Sequence, residues 1–271
     1  MLPSTSTDPA RARPQPAIEL LRRRFEREGY LCLRSVVPAE PLARLSSEIV
    51  AKFEEDAAAG RLFDGGGRLS GHLNCFPGAR SRFVHQALKT AGILELVQAL
   101  SKRPLREPNI GCNLNLPGSH AQNEHIDGLA TEPFLIVNVA VVDTTLENGA
   151  MEILAGSQRQ EHEFWEVLLT RRNRRRVKLL QGDVVIRVST LWHRGMPNCS
   201  TAPRPMLAFT WEDGGSPLVD PYTAHQGNVT LLPNRFRTDW GGRLKERAFV
   251  AAPRLGTLYQ AARSLLGNCL L

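Results

Sequence analysis

The first third of the chain carries apolar residues at helical spacing. They recur every three or four positions over 17–28, where a glycine follows and is expected to end a helix, and again over 42–53 and 83–100. Between the first two segments, an apolar run over 30–37 predicts a short strand. The pattern therefore predicts an N-terminal part that is mainly helical.

From residue 108 onward the pattern changes to short apolar runs separated by Pro, Gly and Asn. Such runs are typical of an antiparallel sheet. Strands are expected over 110–116, 134–142, 151–154, 177–180, 184–188 and 206–211. Strands at this spacing favour a sandwich, a jelly roll or a barrel. The predicted fold class is mainly β with flanking helices.

A single domain over 17–271 is expected to follow a flexible tail. Residues 1–16 include four prolines and few apolar side chains, which is typical of a tail. Within the domain, we predict a helical part over 17–107, a β core over 108–212, and C-terminal loops and helices over 213–271. At 271 residues the chain can bury a core without a disulfide or zinc staple.

The net charge of +7 makes the protein basic, with five of the arginines in one run over 171–176. A block of this kind is usually a solvated loop, and a local contact with an anion is the alternative. The run is short and no nucleic-acid fold signature accompanies it, so we expect no nucleic-acid partner. The basic excess makes an anionic substrate one hypothesis, such as a carboxylate, a phosphate, an anionic lipid, or an acyl group bound to CoA or to a carrier.

Cysteine usage and hydropathy bear on the compartment. The five cysteines are scattered and form no C-x-x-C pair, which favours free thiols in a reducing environment over disulfides or a zinc site. No run approaches the roughly 18 to 20 apolar residues that span a bilayer, and the N-terminus lacks a secretory h-region. We therefore expect a cytoplasmic protein with no membrane-spanning segment, and a membrane is not the expected partner.

The chemistry of the chain is concentrated in His125, Asp127 and His193. In an extended segment residues two apart point the same way, so His125 and Asp127 can both face the barrel mouth. His193, which follows another predicted strand, can complete a set of two imidazoles and one carboxylate. This set is the facial triad of non-haem iron(II) oxygenases. An H-x-D pair alone is weak evidence, because a loop histidine bonded to a nearby aspartate gives the same pattern.

Arg204 adds to this constellation, since it stands at the start of the predicted strand over 206–211. A guanidinium there offers a planar fork for one carboxylate, which a lysine matches less rigidly. Together with the triad, Arg204 indicates an iron with a dicarboxylate co-substrate beside it.

The sequence resembles the phytanoyl-CoA dioxygenase-like family of iron(II)- and 2-oxoglutarate-dependent oxygenases over roughly residues 18 to 212. The resemblance is carried by segments in the family's order and at similar spacing: 25–31, 116–119, the His125 and Asp127 pair, 147–151, 155–158, 181–185, 191–198, and Arg204.

The resemblance implies a double-stranded β-helix, a jelly-roll or cupin-like core, with His125, Asp127 and His193 on iron. It also implies Arg204 on the distal carboxylate of 2-oxoglutarate, and O2 as the oxidant. Family reactions are mostly hydroxylations coupled to release of succinate and CO2. Relatives that halogenate replace the carboxylate ligand by a small residue, so Asp127 favours hydroxylation or a related oxidation.

Two amides are further candidates for binding the co-substrate. Asn113 could hydrogen-bond its proximal end, or could be an amide at a strand edge. Asn138 interrupts a strongly apolar strand, so it needs either a neighbouring side chain or something in the barrel as its partner. The chain also departs from the family, which often has Ser two residues after the distal histidine where this chain has Gly195.

The prediction is an iron(II)- and 2-oxoglutarate-dependent dioxygenase that hydroxylates a small or medium organic substrate. The alternative is a non-catalytic, metal-binding jelly roll. Epimerisation, desaturation and ring formation stay open within the enzyme class, as does the oligomeric state. Substrate specificity is expected from the segments near 68–82, 171–176 and after Gly214.

Overall fold

A computed structural model describes residues 15–62, 70–101, 103–211, 220, 222–232 and 240–265. The predicted tail over 1–16 lies almost wholly outside these residues, as do parts of the segments near 68–82 and after Gly214. Among the helices of the described part, none is both long and apolar enough to cross a membrane.

The largest element is a seven-stranded sheet, antiparallel at every pairing. Its strands, from one edge to the other, are β1 (Tyr30–Leu33), β7 (Val184–Val188), β4 (Leu135–Ala140), β9 (Arg204–Trp211), β3 (Asn109–Asn115), β2 (His72–Phe76) and β10 (Thr230–Leu232). A second sheet has three strands: β6 (Arg174–Arg176), β5 (Glu152–Leu154) and β8 (His193–Arg194).

Seven α-helices accompany the sheets in the described residues. They are α1 (Gln15–Glu28), α2 (Ala39–Ala58), α3 (Arg82–Thr90), α4 (Ile93–Leu100), α5 (Phe164–Leu169), α6 (Trp240–Ala251) and α7 (Pro253–Leu265). The helical N-terminal part is thus present, interleaved with two strands of the large sheet.

The large sheet has two different faces because side chains alternate along each strand. The outer face packs against α1 to α4 in one apolar cluster, with Leu31, Val137 and Phe209 at its centre. The inner face contributes Tyr30 and Val185 to a second cluster shared with the small sheet. Two antiparallel sheets packed over a common interior form the predicted jelly-roll core, so the predicted fold class is confirmed.

Two local predictions are wrong. The single helix predicted over 83–100 is two helices, because the chain turns at Gly92 in a left-handed conformation with φ of 68°. The strand predicted over 177–180 lies instead at Arg174–Arg176, and the later segment makes only an isolated bridge from Leu179 to Thr144. Apolar content alone placed that strand too late along the chain.

The arginine run is also not a solvated loop over its second half. Arg174–Arg176 forms an antiparallel pair with β5. Arg174 lies in buried ion pairs, Arg175 contacts Glu28 at 3.0 Å, and Arg176 donates to a backbone carbonyl. The local anion contact that the sequence left open is therefore present for Arg174 and Arg175, and its anions are carboxylates of the protein itself.

Candidate metal centre

The two histidines of the predicted triad lie side by side because their backbones pair. The backbone N–H of each donates to the carbonyl of the other at 3.0 Å, forming an isolated antiparallel bridge that brings the His125 loop to the edge of the small sheet. The ring centroids are 4.4 Å apart. Residues 68 positions apart in sequence thus present their imidazoles to one point.

The Nδ1 nitrogen of each imidazole contacts a backbone carbonyl. Nδ1 of His125 lies 2.8 Å from the Asn123 carbonyl, and Nδ1 of His193 lies 2.9 Å from the Leu191 carbonyl. A carbonyl accepts only, so both Nδ1 atoms carry the proton and both Nε2 atoms keep a free lone pair. Such an outer contact fixes the tautomer and ring orientation of metal-binding histidines.

Asp127 completes the cluster from the same loop as His125, where it lies beside the end of β7. Its backbone N–H donates to Ser189 at 2.8 Å, which fixes the loop. Its Oδ2 lies 3.4 Å from Nε2 of His193, and its Oδ1 lies 3.8 Å from Nε2 of His125. One ligand atom from each of the three residues lies within 4.8 Å of the others.

The electrostatics keep His193 and Asp127 in the protonation states that a metal needs. Burial lowers the pKa of His193 to about 3, so the imidazole is neutral. Burial raises the pKa of Asp127, but the positive charge of Arg187 outweighs it and holds that pKa well below its usual range. Two imidazoles and one carboxylate fit a non-haem iron(II) site and leave other positions open.

Arg204 begins β9 and faces the same interior, opposite Asn115 of β3. It is 4% exposed. Its guanidinium makes only long contacts, to the backbone carbonyls of Asn148 at 3.4 Å and Gly149 at 3.3 Å. Among the described residues it has no carboxylate partner, and burial lowers its pKa to about 10.

A buried guanidinium without a counter-ion is costly, so this one fits a site for an anion from outside the chain. The carboxylate of 2-oxoglutarate has the matching charge and planar shape. The residues present therefore fit both the iron and the co-substrate.

Both candidate amides lie on the inner face. Asn138 accepts a hydrogen bond from Nε of Arg187 at 3.0 Å, so the partner expected for it is a neighbouring side chain. Asn113 is half-buried, and its Nδ2 lies 3.5 Å from the Leu73 carbonyl. A contact of either amide with the co-substrate stays a prediction.

The sequence interpretation did not include His72 among the candidate site residues. His72 is 1% exposed on β2, opposite Asn115, and its Nε2 lies 2.7 Å from the His120 carbonyl. Burial lowers its pKa to about 4. The strand that carries His72 follows a glycine-rich segment and gave no clear periodic signal.

His72 also explains the glycine that departs from the family pattern. A Cβ added at Gly195 would lie 2.8 Å from Cε1 of His72 and 2.7 Å from Oε1 of Gln122. Gln122 accepts the Gly195 N–H at 2.8 Å. A serine side chain therefore has no room at this position unless these neighbours move.

Arg187 is the second residue that the interpretation overlooked. Its terminal nitrogen lies 2.6 Å from Oδ2 of Asp127. The signal was present, because Arg187 is the one charged residue in an otherwise apolar strand.

Next to the histidines lies a group of four largely buried charges, with side chains 5% to 24% exposed, which we call the ion-pair quartet: Glu124, Glu152, Arg174 and Arg194. Glu124 contacts Arg174 at 3.2 Å and Arg194 at 3.0 Å. Glu152 contacts Arg174 at 3.0 Å and Arg194 at 2.6 Å. Since Glu124 adjoins His125 and Arg194 adjoins His193, the quartet joins the two ligand-bearing segments through the small sheet.

Comparison with known proteins agrees with this geometry. The family model described as phytanoyl-CoA dioxygenase matches residues 25–206. A solved structure of SnoN, an epimerase from nogalamycin biosynthesis, in complex with Fe3+, alpha ketoglutarate and nogalamycin RO, is 22% identical. Its TM-score is 0.55, over 74% of this chain and 85% of that one.

Two further solved structures are similar. The alpha ketoglutarate-dependent carbocyclase SnoK, also from nogalamycin biosynthesis, is 19% identical with a TM-score of 0.52, over 74% of this chain and 84% of that one. EctD from S. alaskensis with bound Fe is 17% identical with a TM-score of 0.56, over 76% of this chain and 81% of that one. At these identities the likeness shows a shared fold.

Proposed function

Because the chain belongs to the phytanoyl-CoA dioxygenase family, whose cofactors are iron(II) and 2-oxoglutarate with O2 as oxidant, we propose that it hydroxylates a small or medium organic substrate. In this proposal His125, Asp127 and His193 hold the iron. Arg204 binds the distal carboxylate of 2-oxoglutarate. Asn113 and Asn138 are the candidates for contacting the co-substrate elsewhere.

The observation that carries the proposal is that two groups with complementary chemistry face the interior between the two sheets. One is the three-residue cluster, whose three ligand atoms lie within 4.8 Å of one another, as one metal ion requires. The other is Arg204, a buried guanidinium without a carboxylate among the described residues. In our proposal, iron would bind to the three-residue cluster, and a keto acid with a second carboxylate would pair with Arg204.

Each residue has a defined part in this scheme. The imidazoles would bind iron through Nε2, because their Nδ1 atoms are engaged by backbone carbonyls. Arg204 would hold one carboxylate of the keto acid through its planar fork. Bound iron with 2-oxoglutarate supplies the oxidising chemistry, with succinate and CO2 as co-products.

Hydroxylation is the outcome we propose among several that this chemistry allows. An intact carboxylate at Asp127 leaves no room for a halide ligand, which supports hydroxylation over halogenation. The similar structures include proteins named as an epimerase and a carbocyclase, so the product must be identified directly.

The substrate we propose is a small molecule. The basic excess makes an anionic substrate one hypothesis, but Arg174–Arg176, which supplies part of that excess, is engaged by groups of the protein itself. The anionic group of such a substrate would therefore bind to residues other than Arg174–Arg176. A Michaelis constant that rises with salt would support an anionic substrate, and an insensitive one would count against it. We also propose a cytoplasmic location and no nucleic-acid partner.

The test is succinate release from 2-oxoglutarate with iron(II) and O2, followed by mass analysis of products from a panel of organic acids and neutral metabolites. We expect release that requires all three components and a product heavier by one oxygen atom. His125→Ala, Asp127→Ala and His193→Ala should abolish release. His120→Ala, which removes another imidazole of the same loop, should retain it.

Two results would contradict the proposal. Metal binding without succinate release would favour the non-catalytic jelly roll. Retained release in any of the three ligand variants would remove that residue from the triad.

A further inference from the structure

Arg187 occupies an unusual place for a charged side chain. It lies on β7 between Ile186 and Val188, in register with Tyr30 of β1 and Ile136 of β4. It is 5% exposed and shares the inner face with Val185 two residues earlier. A guanidinium here is surrounded by sheet, not by water.

The contacts of Arg187 lead to the candidate metal ligands. One terminal nitrogen lies 2.6 Å from Oδ2 of Asp127, and Nε donates to Oδ1 of Asn138 at 3.0 Å. Asn138 in turn contacts the Leu207 carbonyl of β9 at 3.5 Å. Asp127, Arg187 and Asn138 thus form a hydrogen-bonded chain anchored in the sheet.

Through this series of hydrogen bonds, the Asp127 side chain is oriented by a neighbouring group, as each histidine is by a backbone carbonyl. Backbone carbonyls orient the imidazoles through Nδ1. Two contacts fix Asp127. Its backbone N–H donates to the carbonyl of Ser189, just after β7, and its carboxylate pairs with Arg187 of β7. The carboxylate therefore cannot rotate freely away from the imidazoles.

The burial of Arg187 is unfavourable without a functional reason. Its other terminal nitrogen is buried and has no hydrogen-bond partner among the described residues. A buried charge with an unsatisfied donor lowers stability relative to a well-packed apolar side chain. Its position is explained if Asp127 needs a fixed orientation.

We propose that Arg187 is a positioning residue that holds the Asp127 carboxylate in the orientation required for metal binding, with Asn138 holding Arg187. This inference rests on the proposed iron site and extends it to a residue that contacts no reactant. Outer contacts of this kind typically change metal affinity by about 10- to 100-fold when removed.

The experiment titrates the apoprotein with Co(II), following binding by calorimetry and coordination by the visible d–d spectrum. We expect Arg187→Met to bind Co(II) about 10- to 100-fold more weakly and with an altered spectrum. Arg187→Lys keeps the charge but not the planar fork, so it should restore part of the affinity. Circular dichroism of each apoprotein checks that it is folded.

Two further variants separate positioning from a general effect of losing an arginine. Asn138→Ala should weaken binding in the same direction, and adding it to Arg187→Met should cause little further loss, because the two act in series. Arg34→Met is the control, since Arg34 also pairs with a buried aspartate, Asp183, away from the triad. It should leave both affinity and spectrum unchanged.

The outcomes distinguish the two claims. If the wild-type protein binds Co(II), and Arg187→Met and Arg187→Lys bind within twofold of it with the same spectrum, the positioning role is overturned. If the wild-type protein binds neither Co(II) nor iron(II), the proposed function itself fails. If Arg187→Met does not fold, Arg187→Lys and Asn138→Ala decide the result.

Discussion

Replacing Glu124 by glutamine tests whether the ion-pair quartet holds the small sheet together. The change is nearly isosteric and removes one negative charge. Glu124 is 5% exposed at its side chain and lies 3.2 Å from Arg174 and 3.0 Å from Arg194. After the change, Glu152 is the remaining quartet acid facing the two guanidinium groups.

The magnitude follows from the burial of this group. Breaking a buried ion pair by removing one partner costs about 3 to 5 kcal/mol, because the other charge is left uncompensated. Here both arginines keep a contact with Glu152, at 3.0 and 2.6 Å. We therefore expect Glu124→Gln to lower the free energy of unfolding by about 3 kcal/mol, at the lower end of that range.

The assay is urea denaturation of the apoprotein, followed by circular dichroism and by tryptophan fluorescence. Glu19→Gln is the matched control, since Glu19 also lies near two arginines, at 3.3 and 3.9 Å, but on the exposed surface of α1. That control should change stability by about 0.5 kcal/mol or less. A loss below about 1 kcal/mol in Glu124→Gln would refute the reasoning, because it would place the quartet with surface pairs.

The remaining predictions concern three residues of the interior. Arg204→Lys should raise the 2-oxoglutarate concentration needed for half-maximal succinate release by about tenfold or more, since the planar fork is lost; an unchanged requirement would remove Arg204 from the co-substrate site. Gly195→Ser should lower the free energy of unfolding by about 1 to 3 kcal/mol because its Cβ meets His72 and Gln122, and unaltered thermal stability would show that the site has room. The pKa of His72 is about 4 in the folded state against about 6.5 unfolded. Between these two pH values the unfolded state binds a proton more readily than the folded state. The free energy of unfolding therefore falls as the pH drops from about 6.5 to about 4. His72→Gln should make the acid loss of stability shallower, and a slope equal to wild type would contradict that assignment.

The sequence interpretation succeeded where chemistry is encoded locally. His125 and Asp127 share a face because they are two residues apart, and α2 follows its apolar stripe. The iron triad and Arg204 could be proposed because the intervening motifs occur in a known order. The division of the chain into parts over 17–107, 108–212 and 213–271 stays a prediction.

What could not be read locally depends on pairing across the sheets. Arg187 meets Asp127 only because β7 ends beside the His125 loop, 60 residues away in sequence. His72 reaches the interior because β2 pairs with β3 at Asn115. Neither contact leaves a periodic trace in the sequence.

The arginine run shows the same limit from another side. Three consecutive arginines favour a solvated loop on general grounds. They form a strand here because distant residues supply the compensating groups: Glu124 and Glu152 for Arg174, and Glu28 for Arg175. Charge patterning along one segment cannot reveal acids that folding brings from elsewhere.

The most direct test of the central claim is an anaerobic titration of the apoprotein with iron(II) and then 2-oxoglutarate. Chelation of ferrous iron by the keto acid gives a weak visible charge-transfer band. The account predicts a band that saturates at one equivalent of iron, is absent in Asp127→Ala, and requires more 2-oxoglutarate in Arg204→Lys. Bound iron without any band, at saturating 2-oxoglutarate, would contradict the assignment of this interior as an oxygenase site.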